Sequence, residues 1–253
     1  FSRLQLFPAF HDDTQKSILN GVVLPAGQGG TKDLEQTLDA LFSHPNTAPF
    51  ISKQLIQRLV TSNPTPAYVY RVAQKFENNG SGTRGDLSAV VRAILTDYEA
   101  RSSTTLTAPT FGKLREPLIR ATALLRSFGA NPASGRYISG LANTETALAQ
   151  SALRAPTVFN FFRPDYVLPG ALASAGLVAP EYEITDATYA ISVPNFLRTF
   201  IFNAAGTNPD TVVLNLAYEQ SLVATPSALL DHLNQVMCGG NLTAATRTRV
   251  TTM

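Results

Sequence analysis

Residues 44–101, HPNTAPFISKQLIQRLVTSNPTPAYVYRVAQKFENNGSGTRGDLSAVVRAILTDYEAR, decide the fold of this chain. They read as three consecutive amphipathic helices, each with its own start signal. In the first, Ile51, Leu55 and Leu59 recur at helical spacing with Ile56 and Val60 alongside. Pro49 lies in its first turn, where the missing N–H removes no bond. Ser62-Asn-Pro-Thr-Pro66 ends that helix; Thr65 supplies a cap and Pro66 a preset φ for the next. Tyr68, Val69, Val72, Ala73 and Phe76 form the buried face of the second helix. After the turn Asn78-Asn-Gly-Ser-Gly82, Asp86 caps a third helix that turns Leu87, Val90, Val91, Ile94 and Leu95 inward. Three short helices, each apolar along one stripe, must bury those stripes on one another or on a neighbour.

Upstream, the apolar runs Arg3-Leu-Gln-Leu-Phe7 and Ser17-Ile-Leu-Asn-Gly-Val-Val-Leu24 bracket the polar segment His11-Asp-Asp-Thr-Gln15 and predict a β-hairpin. Pro25–Gly30 is a loop. Thr31 then caps a helix with Asp33 and Glu35 in its first turn, where the macrodipole favours negative charge, and with Leu34, Leu38, Leu41 and Phe42 on one face. Downstream, the Ser/Thr-rich residues 101–112 read as a connection and Leu114–Phe128 as a helix. Asn143 or Thr144 opens a helix to about Leu153, and Thr185 or Asp186 opens one through Phe202, interrupted by Pro194. Thr225-Pro226 repeats the start device of Thr65-Pro66 for a helix ending at Gly239-Gly240, and Thr243 caps a last helix. No fixed-period repeat is present. The expected fold is all-α: an irregular orthogonal array of about eight or nine helices with a small N-terminal β-hairpin. It is expected as one continuous domain over 1–253, with hairpin and loop at 1–30, a helical spine at 31–101 and a second helical layer at 102–253.

Composition narrows the function classes. Charged residues are 15% of the 253, against about a quarter in typical globular domains. Thr, Ser, Asn and Gln must supply the polar surface, as in secreted or envelope proteins and in subunits with much surface covered by partners. A formal net charge of +2, with no run of Lys or Arg longer than two, leaves no footprint for nucleic acid or an anionic membrane. The single cysteine, Cys238, excludes an internal disulfide and a thiolate metal cluster. No apolar run approaches the ~20 residues needed to span a bilayer. Because the chain starts at Phe1 and stops inside a helical pattern, a processed or partial piece is expected, with any signal or anchor outside it.

Taken together, HPNTAPFISKQLIQRLVTSNPTPAYV, RGDLSAVVRAILTDYEAR, GKLREPLIRATALLRSFG, RAPTVFNFFRPDYVLPG, GLVAPEYEIT and LLDHLNQVMCGGNLTAATRTRV closely resemble the C-terminal half of the bacterial domain-of-unknown-function family 1800. FHDDTQKSILNG fits as well, so the resemblance covers nearly the whole chain. It implies a mostly helical, usually exported protein, often encoded beside a secreted phosphatase- or sulfatase-like partner. It also implies a further N-terminal portion beyond this chain. It supplies no mechanism.

His11-Asp12-Asp13 is the place in the sequence where an imidazole and two carboxylates crowd together. On a turn they can ligate a divalent cation; the plainer reading is a polar turn whose Asp side chains bond nearby backbone N–H groups. His44 is a general base if a nucleophile faces it and otherwise satisfies a helix end. His232, between Leu230 and Leu233, reads as structural. Arg84-Gly85-Asp86 invites an adhesion reading, but turn and cap explain it. Cys238 reads as a buried helix-end thiol. The aromatic run Phe159, Phe161, Phe162 and Tyr166, with Arg163 and Asp165, forms either core or a partner or ligand surface. No nucleophile elbow, zinc-binding helix or phosphate-cradling loop appears.

Two functions from different classes follow as expectations. One is an exported, non-catalytic scaffold or interaction subunit in the cell envelope or outside the cell. Its partner is a protein, either a secreted phosphatase/sulfatase-like one or the missing N-terminal portion. The other is a metal-assisted hydrolase acting on an extracellular polymer or ester, with a divalent cation at His11, Asp12 and Asp13. No other cofactor, no nucleic acid and no membrane span in this piece are expected.

Overall fold

The computed structural model describes residues 5–136, 143–158, 160–202 and 208–252. Among them, thirteen α-helices follow a two-stranded hairpin. The hairpin is β1 (Lys16–Ser17) and β2 (Val23–Leu24). The first helices are α1 (Gly30–Ser43), α2 (Thr47–Leu59), α3 (Pro66–Glu77), α4 (Leu87–Thr96), α5 (Tyr98–Arg101) and α6 (Ser103–Leu106). Then come α7 (Pro117–Ser127), α8 (Glu145–Leu148), α9 (Ala171–Ser174), α10 (Ala187–Phe202), α11 (Ala217–Ser221), α12 (Pro226–Cys238) and α13 (Ala244–Thr251). The protein is mostly helical with a small N-terminal hairpin, as the sequence predicts. The chain divides into two compact units, one up to Lys113 and one from Leu114.

The hairpin is shorter than expected and turns elsewhere. Its strands pair antiparallel, Lys16 with Leu24 and Ser17 with Val23. Both therefore come from the second apolar run and its Lys16 neighbour, while Pro8–Phe10 forms a 3₁₀ turn. The reason is Asn20-Gly21, with φ of 56° and 72°: two consecutive left-handed residues twist the chain as a tight hairpin requires, and Asn-Gly tolerates them.

In the first unit the core is the predicted spine. Ala48, Ile56, Tyr68, Val72, Ala73, Phe76, Val90 and Ile94 from α2, α3 and α4 are all buried. Burying an Ile or Val there contributes about 1.5–3 kcal/mol each. Thr65 caps α3 by accepting from Tyr68 N–H, and Asp86 caps α4 by accepting from Ala89 N–H. Leu59, Leu87 and Leu95, expected inward, are instead about half exposed. Helix α1 starts one residue before Thr31, at Gly30, with no side-chain cap.

The second unit holds two apolar clusters. Leu124, Phe128, Phe200 and Leu214 form one, and Ala121, Leu148 and Val193 the other; Phe196 and Leu197 pack against both. Helix α10 runs through Pro194. The helix expected from residue 143 to 153 is a single turn, α8, because two side chains fold the segment after it back. Thr144 Oγ1 donates to Gln150 O at 2.5 Å, and Thr144 N–H donates to Ser151 Oγ at 3.1 Å. Ala149 lies between them in the left-handed region. Thr225 makes no cap bond to α12, which has only Pro226 at its start.

Candidate functional site

The N-terminal polar turn is drawn against the start of α1 by a residue the sequence reading assigned only to the helix dipole. His11 Nε2 lies 3.0 Å from Asp33 Oδ2, and His11 Nδ1 lies 3.7 Å from Asp13 Oδ1. Lys16 Nζ donates to the same Asp33 Oδ2 at 2.8 Å, and Gln28 Nε2 donates to Asp33 Oδ1. These bonds to Lys16 and then Gln28 hold the Asp33 carboxyl below its usual range. Asp12 turns away: its Oδ1 accepts from Thr14 N–H at 2.9 Å and Thr14 Oγ1 at 2.7 Å, which likewise lowers its pKa. Asp13 Oδ1 accepts from Gly29 N–H at 3.3 Å.

Gly30 makes the approach possible, since a Cβ there would lie 2.6 Å from Leu6 Cδ1 and 2.9 Å from His11 Cδ2. His11 and Asp13 are thus brought together, Asp12 is not, and Asp33 and Lys16 join them. Asp33 Oδ2 is thus shared between the Lys16 ammonium and the His11 imidazole. Among the described residues no group of three or more His, Cys, Asp or Glu is arranged to hold a metal ion. What the cluster does chemically is orient the His11 imidazole and pin the turn to α1.

A second charged cluster joins α3 to the α4–α5 junction. Arg71 Nε and Nη2 bond Asp97 Oδ2 and Oδ1, each at 2.8 Å, and Nη2 reaches Glu99 Oε1 at 2.8 Å. Thr65 Oγ1 lies within hydrogen-bond distance of both Glu99 oxygens, at 2.8 and 2.9 Å, while the Arg71 guanidinium lies 4.6 Å from the Tyr98 ring centre. Burial alone would raise the Asp97 pKa; the Arg71 bonds and the Glu99 N–H outweigh it, and the carboxyl sits below its ordinary value. The neighbouring Tyr68 hydroxyl is pushed well above its ordinary value by burial, with Asp97 and Glu99 adding, and donates to Ile94 O at 2.6 Å. Bidentate bonds and an aromatic face around Arg71 make this a clamp.

In the aromatic segment Phe159 lies outside the described residues. Phe162 is buried, whereas Phe161 and Tyr166 are half-buried. Arg163 is exposed and bonds Glu183, through its backbone N–H at 2.6 Å and its Nε at 3.2 Å.

Of the remaining candidates, His44 Nδ1 accepts Asn46 N–H at 3.1 Å, so this imidazole satisfies the start of α2. His232 Nε2 lies 2.7 Å from Glu219 Oε1, with the Tyr218 ring edge-on at 4.8 Å. Arg84 pairs with Glu77, bonds Phe42 O at 3.0 Å and packs over Phe42 and Phe76, while Asp86 caps α4; the Arg-Gly-Asp triplet is a mechanical joint. Cys238 is exposed.

Two features had no functional reading in the sequence. Leu34, Leu38 and Leu41 of α1 are 58%, 55% and 44% exposed, so the face expected inside lies open. A groove of 440 Å³ beside α2 and α3 is walled by Pro45, Pro49, Pro64 and Pro66, each legible only as helix punctuation. No helix among the described residues is long and apolar enough to cross a membrane.

A family model with the description "Protein of unknown function (DUF1800)" matches residues 2–253. No curated protein and no solved structure matches the chain.

Proposed function

We propose, for a chain that belongs to the DUF1800 family, the role of an exported, non-catalytic interaction subunit that docks a protein partner through α1. The observation that carries this reading is the open leucine stripe. Leu34, Leu38 and Leu41 recur at i, i+4 and i+7, so they form one continuous strip along the helix, and all three are about half exposed. Contiguous apolar surface of this kind marks interaction sites.

Three half-exposed leucines recover only about 3–5 kcal/mol on burial, too little against the 4–15 kcal/mol lost on association. Further apolar side chains are exposed on the segment that packs at Gly30, where Phe7 and Phe10 are 62% and 90% exposed. Low charge suits a surface meant to be covered, and suits work outside the cell.

The test is co-expression with the secreted phosphatase- or sulfatase-like protein that the family resemblance implies. The wild-type chain forms a stoichiometric complex with it by gel filtration. The double variant Leu34→Glu/Leu38→Glu loses that complex while keeping its circular dichroism and melting temperature, because neither side chain is in the core. A wild-type chain that forms no such complex, or a double variant that binds undiminished, overturns the reading.

A further inference from the structure

The groove beside α2 and α3 lies in the unit whose core is the predicted spine, and it shares no residue with the leucine stripe. Four of its ten lining residues are prolines: Pro45 before α2, Pro49 in its first turn, Pro64 in the loop after it and Pro66 at the start of α3. Each is explained singly as a helix start or stop. Their convergence on one concavity is not.

A proline wall has two chemical properties. It carries no N–H, so the part of a ligand held against it finds no backbone donor and must need none. It also presents flat, rigid aliphatic rings with fixed φ, so the cleft exists before anything binds and ordering it adds little to the free energy of binding. The apolar lining is completed by Val69, half-buried, and Ala73, buried in the core below. Tyr70, 64% exposed, adds an aromatic face. An aromatic ring suits these walls: it is flat, needs no donor and stacks on the tyrosine. The volume, 440 Å³, falls within the range of small-ligand pockets.

The polar groups at the same groove fix the charge of the occupant. Glu77 is neutralised by its ion pair with Arg84. The Lys53 ammonium, one turn along α2 from Pro49, has no hydrogen-bond or ion-pair partner among the described residues, and neither do the Tyr70 hydroxyl and the Gln74 carboxamide. The groove thus offers one uncompensated cation and two free polar groups beside an apolar cleft.

We infer that this groove binds an aromatic ring bearing a carboxylate, the ring between the proline walls and Tyr70 and the carboxylate on Lys53. The same chemistry arises from a free aromatic acid or from an aromatic residue at the C-terminus of a peptide.

Titration of the ¹⁵N-labelled chain with 3-phenylpropionate, with acetyl-Gly-Phe and with acetyl-Gly-Phe-amide tests the assignment. The two acids give saturable shifts at Lys53, Val69, Tyr70 and Ala73, and the amide binds about tenfold more weakly. Lys53→Met lowers acid affinity by about tenfold and leaves the amide unchanged, since one charge-assisted bond is lost. Tyr70→Ala weakens acids and amide alike, and Tyr70→Phe weakens neither. Both side chains are exposed, so the variants keep the wild-type spectrum elsewhere. Stronger binding of the dipeptide identifies a peptide terminus, and equal binding a free acid. The inference fails if neither acid saturates, if the shifts map elsewhere, or if Lys53→Met binds the acids as wild type does. A failure here leaves the docking role of α1 standing, and the reverse.

Discussion

At the scale of single residues, two arginines with opposite surroundings make the sharpest predictions. Arg120, in the first turn of α7, has Nε and Nη2 buried with no hydrogen-bond partner among the described residues, and burial pulls its pKa down. A charge removed from water without an acceptor destabilises the fold. Arg120→Met therefore raises stability by about 1–3 kcal/mol, seen as a melting temperature several degrees higher; an unchanged or lower value contradicts it. Arg71 is the reverse case. Removing it strands Asp97 and Glu99, both nearly buried, so Arg71→Met loses about 3–5 kcal/mol at neutral pH. The depressed Asp97 pKa sets the sign of the pH dependence. The folded state holds fewer protons there than the unfolded one, so this stability is complete above the ordinary aspartate value near 4 and drains away as pH falls below it. Urea midpoints of wild type and variant accordingly converge towards pH 3, and a gap that stays constant from pH 7 to pH 3 would falsify the clamp. Neither arginine was legible in the sequence, because what separates them is a partner 26 residues away for one and, among the described residues, no acceptor at Nε and Nη2 for the other.

Among the elements, caps separate signals that the sequence renders identical. Thr65-Pro66 and Thr225-Pro226 read alike, yet the Thr65 side chain accepts the Tyr68 N–H and the Thr225 side chain makes no cap bond. Asp86 accepts Ala89 N–H and, in addition, a bond from Asn79 Nδ2 at 2.8 Å. Asp86→Ala is expected to lose about 1 kcal/mol or somewhat more, whereas Thr225→Ala changes the denaturation midpoint by less than about 0.5 kcal/mol; equal losses would show that capping is not what Asp86 contributes. The apolar stripes of α2, α3 and α4 were legible because they meet one another within 50 residues of chain. The stripe of α1 was equally legible as a stripe, but periodicity states only that one face is apolar, not what covers it. The hairpin was legible in kind, and Asn20-Gly21 was the signal that would have placed its turn. The shortness of α8 was not, since it depends on Thr144 reaching Gln150 and Ser151 across a turn.

For the whole molecule, the mostly helical class and the family were readable from local patterns, while the candidate site was readable only in part. His11 and Asp13 do meet, but Asp33, Lys16 and Gly30, which decide how they meet, arrive from beyond the motif. The proline groove was hidden for a different reason: each proline already had a sufficient local explanation. Under the docking role proposed for α1, its exposed leucines also bear on the life of the chain before it meets a partner. A copy without one displays adhesive surface to every other copy and to proteolysis, so its lifetime is short compared with that of a copy in place. Synthesis in excess of the partner is then self-limiting. The level of the assembly follows the scarcer component, with no regulator other than the water-facing side of one helix.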